Sequence, residues 1–300
     1  MLTARGLAPK KSFGQNFMVD ANFAAAIARH AGPDENTLLI EVGPGTGCLT
    51  RALLDVHPAA RILAIEIDRG LAAFLREEFA DSIRQQRLTL LEGDVLSSKH
   101  EISPILLETA LQISAKEHRQ KKILCSNLPY NVATSVLANF AAEQYRRPES
   151  GVRISDFGMS LAIATIQLEL AERILAKPGD APYGALSAFM ALRTEGKIVR
   201  RAGGEVFWPR PNVKSAVISL EFKPWSASPL RHDEVPAFQD FLQKLFSQRR
   251  KTLRAVLKPV TIPPELNIEP NARAEELKAE TLLGLFRSIE SIMAKRMRVG

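Results

Sequence analysis

From residue 37 onward the chain repeats one pattern. A run of consecutive apolar residues ends in a glycine or an acid, and an amphipathic stretch follows. "TLLIEVGP" (37–44) is apolar on both faces of an extended chain, which predicts a buried strand. Apolar residues at helical spacing from Cys48 to Val56 predict a helix after it. The alternation continues with a strand at 61–68 ("RILAIEID"), a helix at 69–80 and a strand at 87–94 ("RLTLLEGD"). A helical stretch near 102–120, a strand at 121–129 ("KKILCSNLP") and a helix at 132–144 come next. A fifth strand is expected around 157–164 ("FGMSLAIA"), and the last two at 196–202 and 215–223. Such alternation predicts an α/β fold, with helices on both faces of a mostly parallel, seven-stranded sheet. After "KPWSASP" the pattern turns helical, and the prolines and serines mark a linker at about 224–232. The chain is therefore expected to hold a large domain over 1–228 and a small all-helical one over 229–300.

Composition narrows the class. With 46% hydrophobic residues there is material for a sizeable core. Two cysteines, Cys48 and Cys125, make no disulfide framework and indicate a reducing compartment. The five histidines form no metal-ligand spacing with a cysteine, so no metal is expected. No apolar run reaches transmembrane length, and the N-terminus lacks the apolar stretch of a signal peptide. These features predict a soluble, cytoplasmic protein away from membranes.

Charge adds a partner. The formal net charge is +7 and the isoelectric point about 9.5. "KLFSQRRKTLRAVLK" (244–258) carries six basic residues and no acid. Arg5, Lys10 and Lys11 precede the first acid, Asp20. Uncompensated like charges in two clusters suit a polyanion, although a solvated helix surface gives the same composition.

In a parallel sheet, ligands sit outside the carboxyl ends of the strands, so the strand ends belong together. The first ends in Gly43, Gly45 and Gly47 ("EVGPGTG"), whose backbone can approach a ligand closely. That spacing departs from the dinucleotide fingerprint, and no G-K-[ST] follows, so a triphosphate is not required. The second ends in Glu66, where a carboxylate can accept both hydroxyls of a ribose. The third ends in Asp94, placed to accept from an exocyclic amine. Each acid alone is as well explained by a cap or a surface charge. Three successive strand ends together point to a nucleoside. The fourth ends in "NLPY". Asn127 can accept an amine proton, the Leu128 carbonyl held by rigid Pro129 can accept another, and Tyr130 offers a face for a flat base. This set suits a planar amine such as adenine N6.

These motifs resemble the class I, Rossmann-like methyltransferases that use S-adenosylmethionine. More narrowly, the chain resembles the small-subunit rRNA adenine dimethyltransferases (the KsgA/RsmA family) from about residue 10 to 290. "KKSFGQNFMVD", "EVGPGTG", "AIEID", "EGDVL" and "NLPY" match that family's motifs in order. "ELAERILAKPGDAPYGALS", "VFWPRPNVKSAVISL" and "FSQRRKTLR" are similar to its later blocks. The resemblance implies that Gln15, Asn16, Met18, Gly43, Gly45, Glu66, Asp94 and Asn127 contact S-adenosylmethionine. It implies that Asn127, Leu128, Pro129 and Tyr130 hold a target adenine, with Phe207 stacking on its far side. Lys10, Lys11, Arg249, Arg250, Lys251 and Arg254 would grip RNA phosphates. The implied partner is small-subunit rRNA within a pre-ribosomal particle, with the enzyme acting as a monomer. The implied activity is dimethylation of N6 on two adjacent adenosines of a 16S rRNA hairpin loop, a step in small-subunit biogenesis.

Met18 stands where the family usually has Leu, and Lys214 where an Asp is common. Segments 97–122 and 143–155 read as surface insertions. Three alternatives stay open: a macrolide-resistance type of large-subunit rRNA methyltransferase, a non-catalytic RNA-binding homologue, and an NAD-dependent oxidoreductase that the glycine spacing opposes.

Overall fold

The computed structural model describes residues 8–10, 14–118, 121–143, 145–146, 153–154, 157–258, 260, 262–269 and 271–299, the backbone alone at 145–146, 153–154 and 292–299. Seven strands form the central sheet: β1 (Thr37–Val42), β2 (Arg61–Glu66), β3 (Leu88–Glu92), β4 (Lys121–Asn127), β5 (Met159–Gln167), β6 (Thr194–Ala202) and β7 (Ser215–Phe222). Their order is β6-β7-β5-β4-β1-β2-β3. β1 pairs in parallel with β2 and β4, as do β2 with β3 and β4 with β5. β7 breaks the pattern, running antiparallel to β5 with Ser215 opposite Gln167.

The apolar runs explain the order. β1 and β2 are buried along their whole length, as strands covered on both faces must be. β6 carries Lys197, Arg200 and Arg201 and is largely exposed, as suits an edge. Helices α1 (Ala21–Ala31), α2 (Cys48–Val56), α3 (Arg69–Glu78), α4 (Ala80–Arg84), α5 (Pro104–Glu117) and α6 (Ala133–Ala142) connect and cover the strands. Asp20 caps α1 by accepting from Phe23 N, and Asp68 caps α3 through Gly70 and Leu71 N. The chain runs outward from β1 to β3 and then returns to β4 on the other side of β1. That reversal opens a crevice at the carboxyl ends of β1 and β4.

The chain divides into two compact units, residues 1–171 with 196–222, and residues 172–195 with 223–300. The sequence placed a boundary at 228 and read 224–232 as a linker. In the structure that stretch belongs to the second unit. Arg193 lies 3.6 Å over the Trp225 ring, and Leu230 is buried. Residues 172–195 join the same unit through α8 (Ala185–Arg193), a helix the sequence reading did not place; it follows α7 (Leu168–Leu175). The unit's core is aromatic. Phe238 of α9 (Val235–Phe246) meets Phe286 of α11 (Ala279–Val299) at 5.5 Å, and Tyr183 meets Phe246 at 5.8 Å. Between those two helices lies the short α10 (Leu253–Val256).

Two further expectations change. Segment 97–122 is not a surface insertion. A short hairpin, Leu96–Ser98 with Glu101–Ile102, leads into α5, whose Leu106, Leu107, Ala110 and Ile113 are buried. Segment 143–155 lies mostly outside the described residues. The strands also stop earlier than read: β1 ends at Val42, β2 at Glu66 and β4 at Asn127, each yielding to a turn at the crevice.

Candidate functional site

The crevice is a real cleft. Its walls are the N-terminal residues Gly14–Met18, the glycine turn Gly43–Gly45, Glu41, Cys48, Glu66, Ile67 and Asn127–Tyr130. A second hollow shares Gly43, Ile67 and Pro129 with it and runs on to Gly93, Asp94, Val95 and Asn131. The structure thus gathers the four strand ends and the N-terminal segment around one groove.

Each wall has a local cause. Gly43, Gly45 and Gly47 hold φ of 64°, 60° and 80°, where a side chain is strained. A Cβ on Gly45 would also stand 2.9 Å from the Phe17 ring. The turn is pinned by Glu66, which accepts from Gly45 N at 3.0 Å through Oε2 and from Asp68 N at 2.9 Å through Oε1. Glu66 is buried at 2% exposure, so its carboxyl is as much a splint for the turn as a ligand-facing group. Burial raises its pKa above the ordinary carboxylate range, against hydrogen bonds from Asp68 and Gly45 that favour the anion.

Asn127 is oriented from the opposite wall. Its Nδ2 donates to the Asn16 carbonyl at 3.0 Å, which leaves Oδ1 as the group able to accept from a ligand. The turn after it is tied down by Leu128 N donating to Thr165 O and by the Pro129 carbonyl accepting from Val132 and Ala133 at the start of α6. Tyr130 shares a 2.6 Å hydrogen bond with Ser215 Oγ at the start of β7, and burial raises its phenol pKa. Met18 lines the cleft while its backbone pairs with Phe207, in a two-residue ladder of Phe17–Met18 against Phe207–Trp208.

Phe207 does not reach the cleft. It is 4% exposed and packs edge-on against Phe23 at 6.3 Å. Alternation along the strand sends the next residue the other way, and Trp208 is exposed, tilted against the cleft residue Phe17 at 6.4 Å. Gln15 lines the cleft, with its Oε1 accepting from Lys10 N at 2.7 Å. Lys10 in turn pairs with the Asp68 carboxylate at 2.7 Å, which fastens the N-terminal segment beside the cleft instead of offering a free cation. Asp94 lies in the second hollow, exposed, with Oδ1 accepting from Leu96 N at 2.9 Å.

The basic run divides in the same way. Arg249 is committed to Glu275 Oε2 at 2.9 Å and to the Ala181 carbonyl at 3.0 Å. Arg250, Lys251 and Arg254 are exposed. Lys11 lies outside the described residues.

Sequence reading missed Glu41. It lies in the wall, 1% exposed, accepting from Thr50 Oγ1 at 2.7 Å, and burial lifts its pKa to about 8. A lone acid inside the apolar run "TLLIEV" was the available signal. Ser215 gave none, being 85 residues from the tyrosine it holds.

The groove fits the cofactor that the resemblance implies. A floor without Cβ atoms admits a bulky ligand, the Glu66 carboxyl stands at the glycine turn, and the second hollow leaves an acid beside an apolar wall of Ile67 and Val95.

Comparison with known proteins agrees with this geometry. A family profile described as ribosomal RNA adenine dimethylase matches residues 6–291. Ribosomal RNA small subunit methyltransferase A of Cereibacter sphaeroides is 36% identical over 297 residues, covering 96% of this chain and 95% of its own. The protein of that name from Mesorhizobium japonicum is 35% identical over 294 residues, covering 96% of each. Among solved structures, a dimethyladenosine transferase from Plasmodium falciparum superposes with a TM-score of 0.67 at 21% identity, covering 92% of this chain and 98% of the other. The 23S rRNA methyltransferase ErmE gives 0.61, also at 21% identity, covering 91% and 98%. At that identity the two structures speak for the fold alone.

Proposed function

The chain belongs to the ribosomal RNA adenine dimethylase family, and from that premise we propose that it dimethylates N6 of two adjacent adenosines in a hairpin loop of small-subunit (16S) rRNA, with S-adenosylmethionine as methyl donor. The observation that carries this reading is Asn127. The Asn16 carbonyl holds its amide nitrogen, so its oxygen is left to accept from an amine inside the groove. S-adenosylmethionine, when bound, supplies a methyl carbon made electrophilic by its sulfonium. The residues Asn16, Met18, Gly43, Gly45, Glu66 and Asp94 would hold it.

The remaining work is done on the acceptor. The N6 lone pair is delocalised into the purine ring, which makes the amine a weak nucleophile. Asn127 Oδ1 and the Leu128 carbonyl accept its two N–H bonds and favour the pyramidal geometry in which the lone pair is available. Tyr130 supports the base by its ring, and Pro129 keeps the turn rigid. As the new C–N bond forms, the bond from the methyl carbon to sulfur would break and the sulfur would leave as the neutral thioether of S-adenosylhomocysteine; the nitrogen then carries the positive charge and its proton leaves to solvent, so no strong base is required. Positioning supplies most of the rate. A base stacked in a helix cannot enter the groove, so the target is looped or flipped out. We place the reaction in the cytoplasm, with a monomer acting on a pre-ribosomal particle. Among the described residues no helix is long and apolar enough to cross a membrane.

The test is genetic and chemical. Small-subunit rRNA from cells lacking the gene should lose dimethyladenosine by mass spectrometry, and the wild-type gene should restore it. Asn127→Ala should not restore it, because loss of a transition-state hydrogen bond typically costs about 10²–10³ in rate. Unchanged dimethyladenosine in the deletion would remove the reading. Restoration confined to large-subunit rRNA would favour the macrolide-resistance alternative.

A further inference from the structure

Outside the cleft, the first unit holds a further cavity of about 460 Å³, within the range of small-molecule sites. It is formed by the loop that joins β6 to β7 and by Leu168, which follows β5. Arg201, Arg210 and Lys214 line it together with the acid Glu205. All three cations are exposed, and among the described residues none is paired with a carboxylate. The loop is built to bring Arg210 in: its side chain crosses Gly204 so closely that a Cβ there would stand 2.8 Å from its Cγ and Nε. Gly203 likewise leaves room for Glu205, whose carboxylate folds back over its Cα.

The cavity is coupled to the cleft. Ser215 lines it and holds the Tyr130 hydroxyl at 2.6 Å, while Tyr130 lines the cleft. Thr165 of β5 pairs with Asn127 of β4, and Gln167 of β5 with Ser215 of β7. Asn127 and Ser215 are thus two strand spacings across the sheet and two residues along it from each other, roughly 12 Å. Three cations without a carboxylate partner, in a cavity that size beside the acceptor site of an RNA enzyme, suit a phosphodiester.

We propose that this cavity binds an RNA backbone phosphate next to the target adenosine, through Arg201, Arg210 and Lys214, and so sets which nucleotide enters the cleft. The inference rests on the proposed rRNA substrate and adds a positioning site to it. Phosphate contacts fix register without reading sequence. The effect should therefore appear in substrate affinity and choice of nucleotide more than in the chemical step.

The test uses the full chain and small subunits reconstituted from unmodified 16S rRNA. Arg210→Ala with Lys214→Ala should raise KM for the subunits roughly tenfold, leave kcat near wild type and leave cofactor affinity by calorimetry unchanged. The slope of log affinity against log salt should fall by roughly 0.7–0.9 for each phosphate that is no longer neutralised. Arg210→Lys should recover most of the KM. Arg29→Ala with Arg84→Ala, exposed cations outside the cavity, removes the same charge and should do little. A single neutral methylphosphonate flanking the target adenosine should weaken wild-type binding and cost the double variant nothing further. An unchanged KM and salt slope in the folded double variant would overturn the proposal, as would an equal methylphosphonate penalty in both proteins. Failure of the substrate reading looks different, since wild type would then bind the subunits with the same salt response but leave no methyl group on them.

Discussion

Asn127 and Tyr130 lie within four residues of chain, yet each is held by a distant partner. Asn16 orients the amide, and Ser215 anchors the phenol. The second bond makes a prediction. Monomethyladenosine offers one N–H to two acceptors, so the second transfer leans harder on the tyrosine ring, where stacking is worth roughly 1–3 kcal/mol per base. Tyr130→Leu should accumulate monomethyladenosine. Tyr130→Phe keeps the ring but frees it from Ser215, so it should show a milder rise in the monomethyl product. Ser215→Ala should match it, and the double variant should add little, because both remove the same hydrogen bond. Product ratios by mass spectrometry test this. A wild-type ratio in Tyr130→Leu would return the ring to a packing role. Strict additivity of the two milder variants would sever Ser215 from Tyr130.

Elements, more than single motifs, decide which of the candidate residues face a ligand. Phe207 and Trp208 sit on one two-residue strand and point opposite ways, and pairing with Met18 turns Phe207 inward. Phe207→Ala should therefore destabilise the fold by about 3–5 kcal/mol in urea unfolding. Trp208→Ala, at 42% exposure, should shift stability by no more than about 0.5 kcal/mol. Reversed magnitudes would place Phe207 in the cleft after all. The basic run shows the same sorting. Arg249 is a tie within the second unit, and a change there confounds folding with binding. Arg250→Glu with Lys251→Glu alters exposed charge alone. It should weaken rRNA binding and flatten its salt dependence, with melting temperature and cofactor affinity unchanged. A salt slope equal to wild type would make the run a solvated surface.

At the scale of the whole molecule, buried acids link folding to pH. Glu41 has its pKa raised from 4.5 to about 8 in the fold, so the folded protein binds a proton that the unfolded chain has released between those values. Stability therefore falls as pH rises through that window, by up to about 1.4 kcal/mol per pH unit. Glu41→Gln keeps an acceptor for Thr50 without the charge, so its stability relative to wild type should improve steadily from about pH 5 to about pH 8, as read by urea unfolding across that range. A constant difference between the two would mean that Glu41 is not protonated in the fold. The sheet itself, its parallel character and the strand ends that line the groove were legible in the sequence. Apolar runs, glycines and terminal acids are local features, and strand periodicity carries them directly. "EVGPGTG", "AIEID", "EGD" and "NLPY" could be assigned to one groove because a parallel sheet brings carboxyl ends together whatever the details of packing. What the sequence left undecided was which polar groups remain available to a ligand. Lys10 and Arg249 are partnered by residues that only folding brings near, and Glu41 and Ser215 gain their roles in the same way. The division of the chain also went beyond pattern, since residues 172–195 join the helical unit by tertiary contacts made far along the chain. The physical reason is common to all of these: periodicity fixes which face of an element is buried, whereas hydrogen-bond and ion-pair partners are chosen by three-dimensional proximity, which no local pattern encodes.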